Sequence, residues 1–209
     1  MKFYLSSYKM GSPENQEKLK KMTEGKNKVA YIPNALDFAD DQERRQQSEG
    51  KDLVDLERFG FSIDRLDLKD YFGKPEELKQ ELEKHDIIWV RGGNAFVLRQ
   101  AMKLSGFDKV LKELIDSKFD IIYGGYSAGI CVLAPNLKGL ELADDLTQKP
   151  YGDDKEIVWE GLSVVDNPIV PHYQSDHPES AAIEKVVQYY KDNNVPFQPL
   201  HDGEVIIIE

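Results

Sequence analysis

The stretch DIIYGGYSAG, residues 120–129, decides how the rest of this 209-residue chain is read. Ile121, Ile122 and Tyr123 have the apolar character of a buried strand end, and the five residues Gly125 to Gly129 fit G-x-S-x-G with Ser127 at the centre. A corner that thrusts one side chain outward forces backbone angles that a β-carbon resists, so glycine and alanine beside the serine are what such a corner requires. Residues 128–133 are small and apolar and continue as a short helix, whose N-terminus would turn amide groups and a partial positive charge toward the serine. That arrangement suits a serine that attacks a carbonyl and then stabilises the resulting oxyanion. A Gly-rich turn with an incidental serine fits the same five residues, so the surroundings must carry the argument.

Outward from the corner, strand and helix patterns alternate. Strands are predicted over 2–6, 28–32, 61–66, 87–90 and the serine strand, then 162–170, with 197–201 and 205–208 closing the sheet as a hairpin around Asp202-Gly203. Helices are predicted over 13–23, 40–59 (with Leu53, Val54 and Leu56 inward), 75–84, 95–104, 107–117 and 178–191. Residues 136–160 are acidic and read as a loop excursion. The alternation predicts a single α/β domain over 1–209, with a largely parallel sheet covered on both faces.

A formal charge of −11 argues against nucleic acid and anionic membrane as partners, since both need clustered Lys and Arg. No apolar run approaches the roughly 20 residues of a membrane span, and the first ten residues are too polar for a secretory signal. Cys131 is the only cysteine, which excludes an intrachain disulfide and a cysteine zinc cluster. The expectation is a cytoplasmic protein, monomer or homodimer, working without metal or organic cofactor.

A serine hydroxyl needs a positioned base. His85, between Lys84 and Asp86, reads as a solvated turn residue. His172 follows Asn167-Pro-Ile-Val-Pro171 and so sits at the carboxyl end of a strand, the edge where open α/β sheets build their sites and from which Ser127 also emerges. His172 is therefore the candidate base. The Ala128 amide supplies one oxyanion donor, and the glycine pair Gly92-Gly93 after a strand supplies the second, with Gly93 favoured. Asn94 is placed to cap the next helix. For the acid that orients the imidazole, Asp202 at a late strand edge is favoured over Asp145 in the acidic excursion.

With these residues assembled, the chain resembles the peptidase E and cyanophycinase family of serine peptidases along nearly its whole length. The resemblance rests on Gly92-Gly93-Asn94, Gly125-Tyr-Ser-Ala-Gly129, Pro171-His172 and His201-Asp202-Gly203, in that order. It implies a fold similar to class I glutamine amidotransferases, a three-layer sandwich around a mostly parallel sheet, with serine in place of the cysteine nucleophile. It implies Ser127 as nucleophile, His172 as general base and the Gly-Gly-Asn and elbow amides as oxyanion hole, and it leaves Asp145 and Asp202 as rivals for the acid. Members cleave dipeptides with an N-terminal aspartate, or β-aspartyl-arginine polymers. The first task needs cations for the substrate carboxylate. Residues 173–180 hold no arginine, so Arg91, Arg99 and Lys103 around the Gly-Gly-Asn helix become candidates. The substrate contacts expected for a small peptide are Arg91, Asn94 and His177.

Two other readings share these motifs. An esterase of the α/β-hydrolase type also carries G-x-S-x-G, but Gly92-Gly93 precedes the serine by only about thirty residues, short for that fold. A non-catalytic binding protein on an amidotransferase-like scaffold would keep the serine as a relic.

Overall fold

A computed structural model of the chain describes residues 1–152 and 154–209. Six strands form the central sheet: β1 (Lys2–Ser6), β2 (Lys28–Ile32), β3 (Ser62–Arg65), β4 (Ile87–Val90), β5 (Ile122–Tyr126) and β8 (Val205–Ile208), in the order β3-β2-β4-β5-β1-β8. All pairings are parallel except that of β8 with β1. A parallel strand buried on both faces needs apolar residues at successive positions, and KFYLS, KVAYI and IIWV supply them.

The two faces separate cleanly by alternation. Phe3, Leu5, Ala30, Ile32, Ile88 and Val90 enter one core, which is completed by α3 (Pro75–Leu82), α4 (Ala95–Ser105), α5 (Phe107–Asp116), α6 (Ala128–Cys131) and α7 (Ser180–Asp192). Tyr4, Val29, Tyr31, Ile87, Trp89 and Ile122 enter the other, against Leu19 of α1 (Pro13–Met22) and Leu56 of α2 (Gln42–Phe59). The result is the three-layer α/β sandwich with a mostly parallel sheet.

Two expectations fail. Residues 197–201 and 205–208 do not form a hairpin. Gln198–Pro199 is β7 and pairs with β6 (Ile169–Val170) in a separate two-stranded parallel sheet, while β8 joins the main sheet. Pro168, Pro171 and Pro199 lack amide donors and confine pairing to the few bonds made by Gln198 and Leu200. Residues 162–165 are likewise not a strand; their amides bond to carbonyls of Val132, Leu133 and Ala134 just past the elbow. On α2, Leu56 is buried and Leu53 packs half-buried against that core, as expected, but Val54 is exposed, and the buried face is completed by Arg45, Glu49 and Asp52. A helix can bury a polar stripe when every charge finds a partner. Here Arg45 pairs with Asp37 and Glu49, and Glu49 with Arg65.

The excursion 136–160, apart from residue 153, which lies outside the described residues, packs back over the start of α4. Asn94 caps that helix through the amides of Phe96 and Val97, and its amide group donates to the carbonyl of Asp145 and to Gln148. Asp144 accepts from the Ala95 amide at 2.8 Å. Burial pushes the Asp144 carboxyl up from 3.8 to about 7, with Glu179 adding to the effect and the Ala95 amide opposing it. The folded chain thus holds a proton that the unfolded chain releases near 4, so this group costs stability as pH rises from about 4 through 7. Asp144→Asn keeps the acceptor for Ala95. It should stabilise the protein by about 1–2 kcal/mol at pH 8, less than the full shift because the residue is partly open to solvent, and leave it unchanged near pH 4. Thermal unfolding of both proteins at the two pH values checks this.

Candidate active site

Strand β5 delivers Ser127 with φ 51° and ψ −121°, a left-handed conformation that a serine adopts only when the neighbouring turn enforces it. The enforcement comes from close packing. A side chain on Gly129 would collide with the Val90 carbonyl oxygen at the end of β4, and one on Gly92 would lie within 2.8 Å of Ser127 Cβ. Gly93 has φ +144° with its α-carbon against the Ala35 carbonyl, a position closed to other residues. The elbow and the Gly-Gly turn are thus pressed together. Among the described residues the amides of Gly92, Gly93 and Ala128 donate to no protein acceptor.

His172 follows β6 with φ +59°, and its side chain is 2% exposed. Its Nδ1 lies 2.8 Å from Asp202 Oδ1. A carboxylate only accepts, so Nδ1 carries the proton and the neutral ring leaves Nε2 as an acceptor. Ser7, just past β1, ties the pair: its hydroxyl accepts from the His172 amide at 2.9 Å and donates to Asp202 Oδ1 at 2.8 Å. The Asp202 amide donates to Ser175 Oγ, and Ser180 Oγ lies 2.9 Å from the His172 carbonyl oxygen, to which it donates. Burial lowers the His172 pKa below the ordinary 6.5; Asp202 pulls it back up and His177 adds to the lowering.

His177 stacks on His172 with ring centroids 3.7 Å apart and planes 7° from parallel, and Tyr8 meets both rings edge-on. The ligand atoms of His172, His177 and Asp202 lie within 4.8 Å of one another, close enough to raise the question of a metal. Stacked rings aim their lone pairs in parallel rather than at a common point, and Nδ1 of His172 is committed to Asp202. The arrangement orients the His172 ring and leaves its Nε2 uncommitted to a protein donor.

Ser127 and His172 line one cavity of about 640 Å³ together with Gly92, Gly93, Tyr126, Arg91, His177 and Glu179. Arg44, Ser48, Lys51 and Asp52 of α2 form its far wall, and Tyr8 and Lys9 its side. Arg91, 6% exposed, donates through Nη2 to Ser48 Oγ and the Tyr126 hydroxyl, each at 3.2 Å. Its Nε is 3.4 Å from Asp52 Oδ2 but poorly aligned for a hydrogen bond, and its Nη1 has no partner among the described residues. Asp52 accepts in turn from Tyr126 and Tyr31.

Several sequence-predicted residues lie elsewhere. Asn94 is spent on the helix cap and the excursion, so it is a support for the turn and not a cavity contact. Asp145 is exposed and bonded to Thr147, which holds its carboxyl below the usual range, and it does not touch His172. Arg99 is buried, donating to the Glu160 carbonyl and Asp108. His85 is buried rather than solvated, with Nδ1 on the Glu81 carbonyl and Nε2 3.0 Å from Asp64. Cys131 packs in the core, where burial drives its thiol pKa well up. Sequence reading missed Ser7, Tyr8, Asp52 and Glu179. Of these only Asp52 left a signal, the 45-49-52-56 spacing on one face of α2.

Residues 4–209 match the model of peptidase family S51. An uncharacterized peptidase of Pasteurella multocida is 32% identical over 149 residues, 71% of this chain and 67% of that one. A peptidase E of Streptomyces coelicolor is 28% identical over 137 residues, covering 61% and 51%. A solved structure from Listeria monocytogenes, provisionally designated a peptidase E, superposes with a TM-score of 0.70 at 24% identity, over 100% of this chain and 98% of the other. No described helix is long and apolar enough to cross a membrane. The family match sets aside the esterase reading, and with it the fold and the serine corner find one explanation: the chain belongs to peptidase family S51 and is a serine-type peptidase of the peptidase E kind.

Proposed function

We propose that this peptidase hydrolyses small peptides after an acidic residue, through an acyl-enzyme on Ser127. The observation that carries the reading is one cavity holding Ser127, a His172 oriented by Asp202, and the guanidinium of Arg91 with an unpartnered nitrogen.

The steps follow from the groups. Ser127 Oγ attacks the scissile carbonyl carbon while its proton passes to His172 Nε2. The carbonyl oxygen becomes an oxyanion held by the amides of Ala128 and Gly93. Collapse expels the amine, which takes the proton from the imidazolium, and leaves an ester on Ser127. Water, deprotonated by the same imidazole, attacks that ester; Ser127 leaves and recovers its proton. Asp202 stays ionised throughout and stabilises the imidazolium. His177 covers the face of the base and keeps it from rotating.

The acidic preference rests on charge. Arg91, Arg44, Lys51 and Lys9 line a cavity whose lining carboxylates, among the described residues, are Asp52, already engaged with Arg91, Tyr126 and Tyr31, and Glu179. Arg91, held by Ser48 and Tyr126, supplies a fixed positive charge for a carboxylate on the acyl-side residue. A dipeptide beginning with aspartate has that carboxylate and fits the volume.

Three outcomes test this. A fluorophosphonate probe should label the parent and not Ser127→Ala; equal labelling, or none of the parent, contradicts the nucleophile and would favour the relic reading. The acid limb of kcat/KM should titrate below about 6.5, because burial favours the neutral imidazole that the reaction needs. Arg91→Gln removes the positive charge, so kcat/KM for Asp-led over Asn-led dipeptides should drop by roughly 10-fold or more. An unchanged ratio removes Arg91 from recognition.

A further inference from the structure

Glu179 precedes α7 and lines the same cavity. Its amide donates to His177 Nδ1 at 3.3 Å, which fixes the chain next to the histidine stack. Its carboxylate Oε2 stands 3.9 Å from His172 Nε2, and its side chain is 48% exposed. Among the described residues no lysine or arginine pairs with it, whereas the other carboxylate lining the cavity, Asp52, is engaged by Arg91 and two tyrosines. A neutral imidazole does not compensate this charge, so the catalytic side of the cavity carries an uncancelled negative group. The cations lining the cavity stand on the α2 wall, at the end of β4, and at Lys9 past β1, which is paired with Asp55.

Distance decides what this carboxylate can meet. The carbonyl carbon under attack must lie at Ser127 Oγ, which has to come within about 3 Å of the nitrogen that takes its proton. In a peptide the α-nitrogen of that residue is two bonds from the carbonyl carbon, about 2.5 Å away, and in an internal residue the preceding carbonyl carbon is bonded to it about 1.3 Å further on. A carboxylate 3.9 Å from Nε2 is within reach of the α-nitrogen of a residue seated this way. In an internal residue that nitrogen is a neutral amide, which a carboxylate gains little by approaching. In an N-terminal residue it is an ammonium.

We infer that Glu179 anchors the free α-ammonium of the residue whose carbonyl is attacked, so that the enzyme removes one residue from the amino end and does not cut within a chain. The inference rests on the proposed acyl-enzyme at Ser127, and it adds a specificity residue that sequence motifs do not mark. Glu179 and Arg91 then hold one amino acid by opposite charges on either side of its reacting carbonyl.

The test uses the full chain and p-nitroanilides of Asp, Leu and Lys, each with a free and an N-acetylated amine, with Glu179→Gln and Glu179→Asp beside the parent. Rates are read at pH 7, above the histidine limb, so that the influence of Glu179 on His172 titration does not enter, and below the ordinary α-amino range of about 7.7–8.0, so that the free amine is mostly ammonium; Asp202, His177 and Tyr8 are the other groups facing that ring. The parent should prefer the free amine by at least about 100-fold in kcat/KM. Glu179→Gln should cut that preference by roughly 10- to 100-fold, mainly through KM, as expected for loss of a charge-assisted hydrogen bond, and Glu179→Asp should restore part of it. Equal losses on both members of a pair would mean that Glu179 acts through His172, and they overturn the inference. So does a parent that cleaves acetylated and free substrates alike. A parent that cleaves none of the six overturns the peptidase reading as well, while cleavage with a strong amine preference but no preference for Asp leaves Glu179 standing and removes the acidic subsite.

Discussion

One hydroxyl, Ser7 Oγ, joins three distant parts of the chain at a single point. It takes the amide proton of His172 and gives its own to Asp202, whose same oxygen receives the His172 ring proton. Strand β1 thereby fixes the end of β6 relative to the turn that precedes β8. His172 needs that help, because its backbone sits at φ +59°, where a non-glycine residue is strained by about 1–3 kcal/mol. A ring held at Nδ1 by the carboxylate, along its backbone by Ser7 and Ser180, and on its face by His177 has one orientation. Ser127, in the same cavity, is equally constrained, since it owes its own positive φ to the packing of Gly129 and Gly92. Both side chains are strained and held in place by the fold itself.

What the sequence made legible follows from what kind of interaction encodes it. The parallel sheet could be read because its inner strands β1, β2 and β4 are apolar at successive positions, and the serine corner because its glycines answer to local backbone geometry. The helix cap at Asn94 was legible for the same local reason. The hairpin around Asp202-Gly203 was misread because two apolar segments flanking a turn look alike whether they pair with each other or with separate sheets. Only the partners, Pro168 and Val170 for one and β1 for the other, tell them apart. His85 was read as solvated because its neighbours are charged, yet its ring folds inward to the nearby Glu81 carbonyl and to Asp64, a partner that no short window contains.

The inner face of α2 shows the same limit more sharply. Apolar periodicity points to Leu53, Val54 and Leu56, but the helix also buries Arg45, Glu49 and Asp52 and leaves Val54 exposed. These charges are tolerable only because Asp37, Arg65, Arg91 and the tyrosines of β2 and β5 meet them. Asp52 links that stripe to the cavity, whose wall it shares with Arg44, Ser48 and Lys51 of the adjoining helix face. A site that binds a charged molecule must keep polar groups where a core would otherwise form, so its helix is the one whose pattern misleads.

The charge of −11 sharpens this point. Spread over the whole surface, it repels an anion at long range, but salt confines such fields to about 8–10 Å. Within the cavity the nearest charges govern: Arg91, Arg44, Lys51 and Lys9 on one side of the balance, Asp52 and Glu179 on the other. Burying Arg91 unpaired would be prohibitive. Asp52 compensates its charge from one side, while Tyr126 and Ser48 hold Nη2. A guanidinium held in this way loses little freedom when a carboxylate arrives, so its affinity is realised without the ordering cost that a flexible surface lysine would carry.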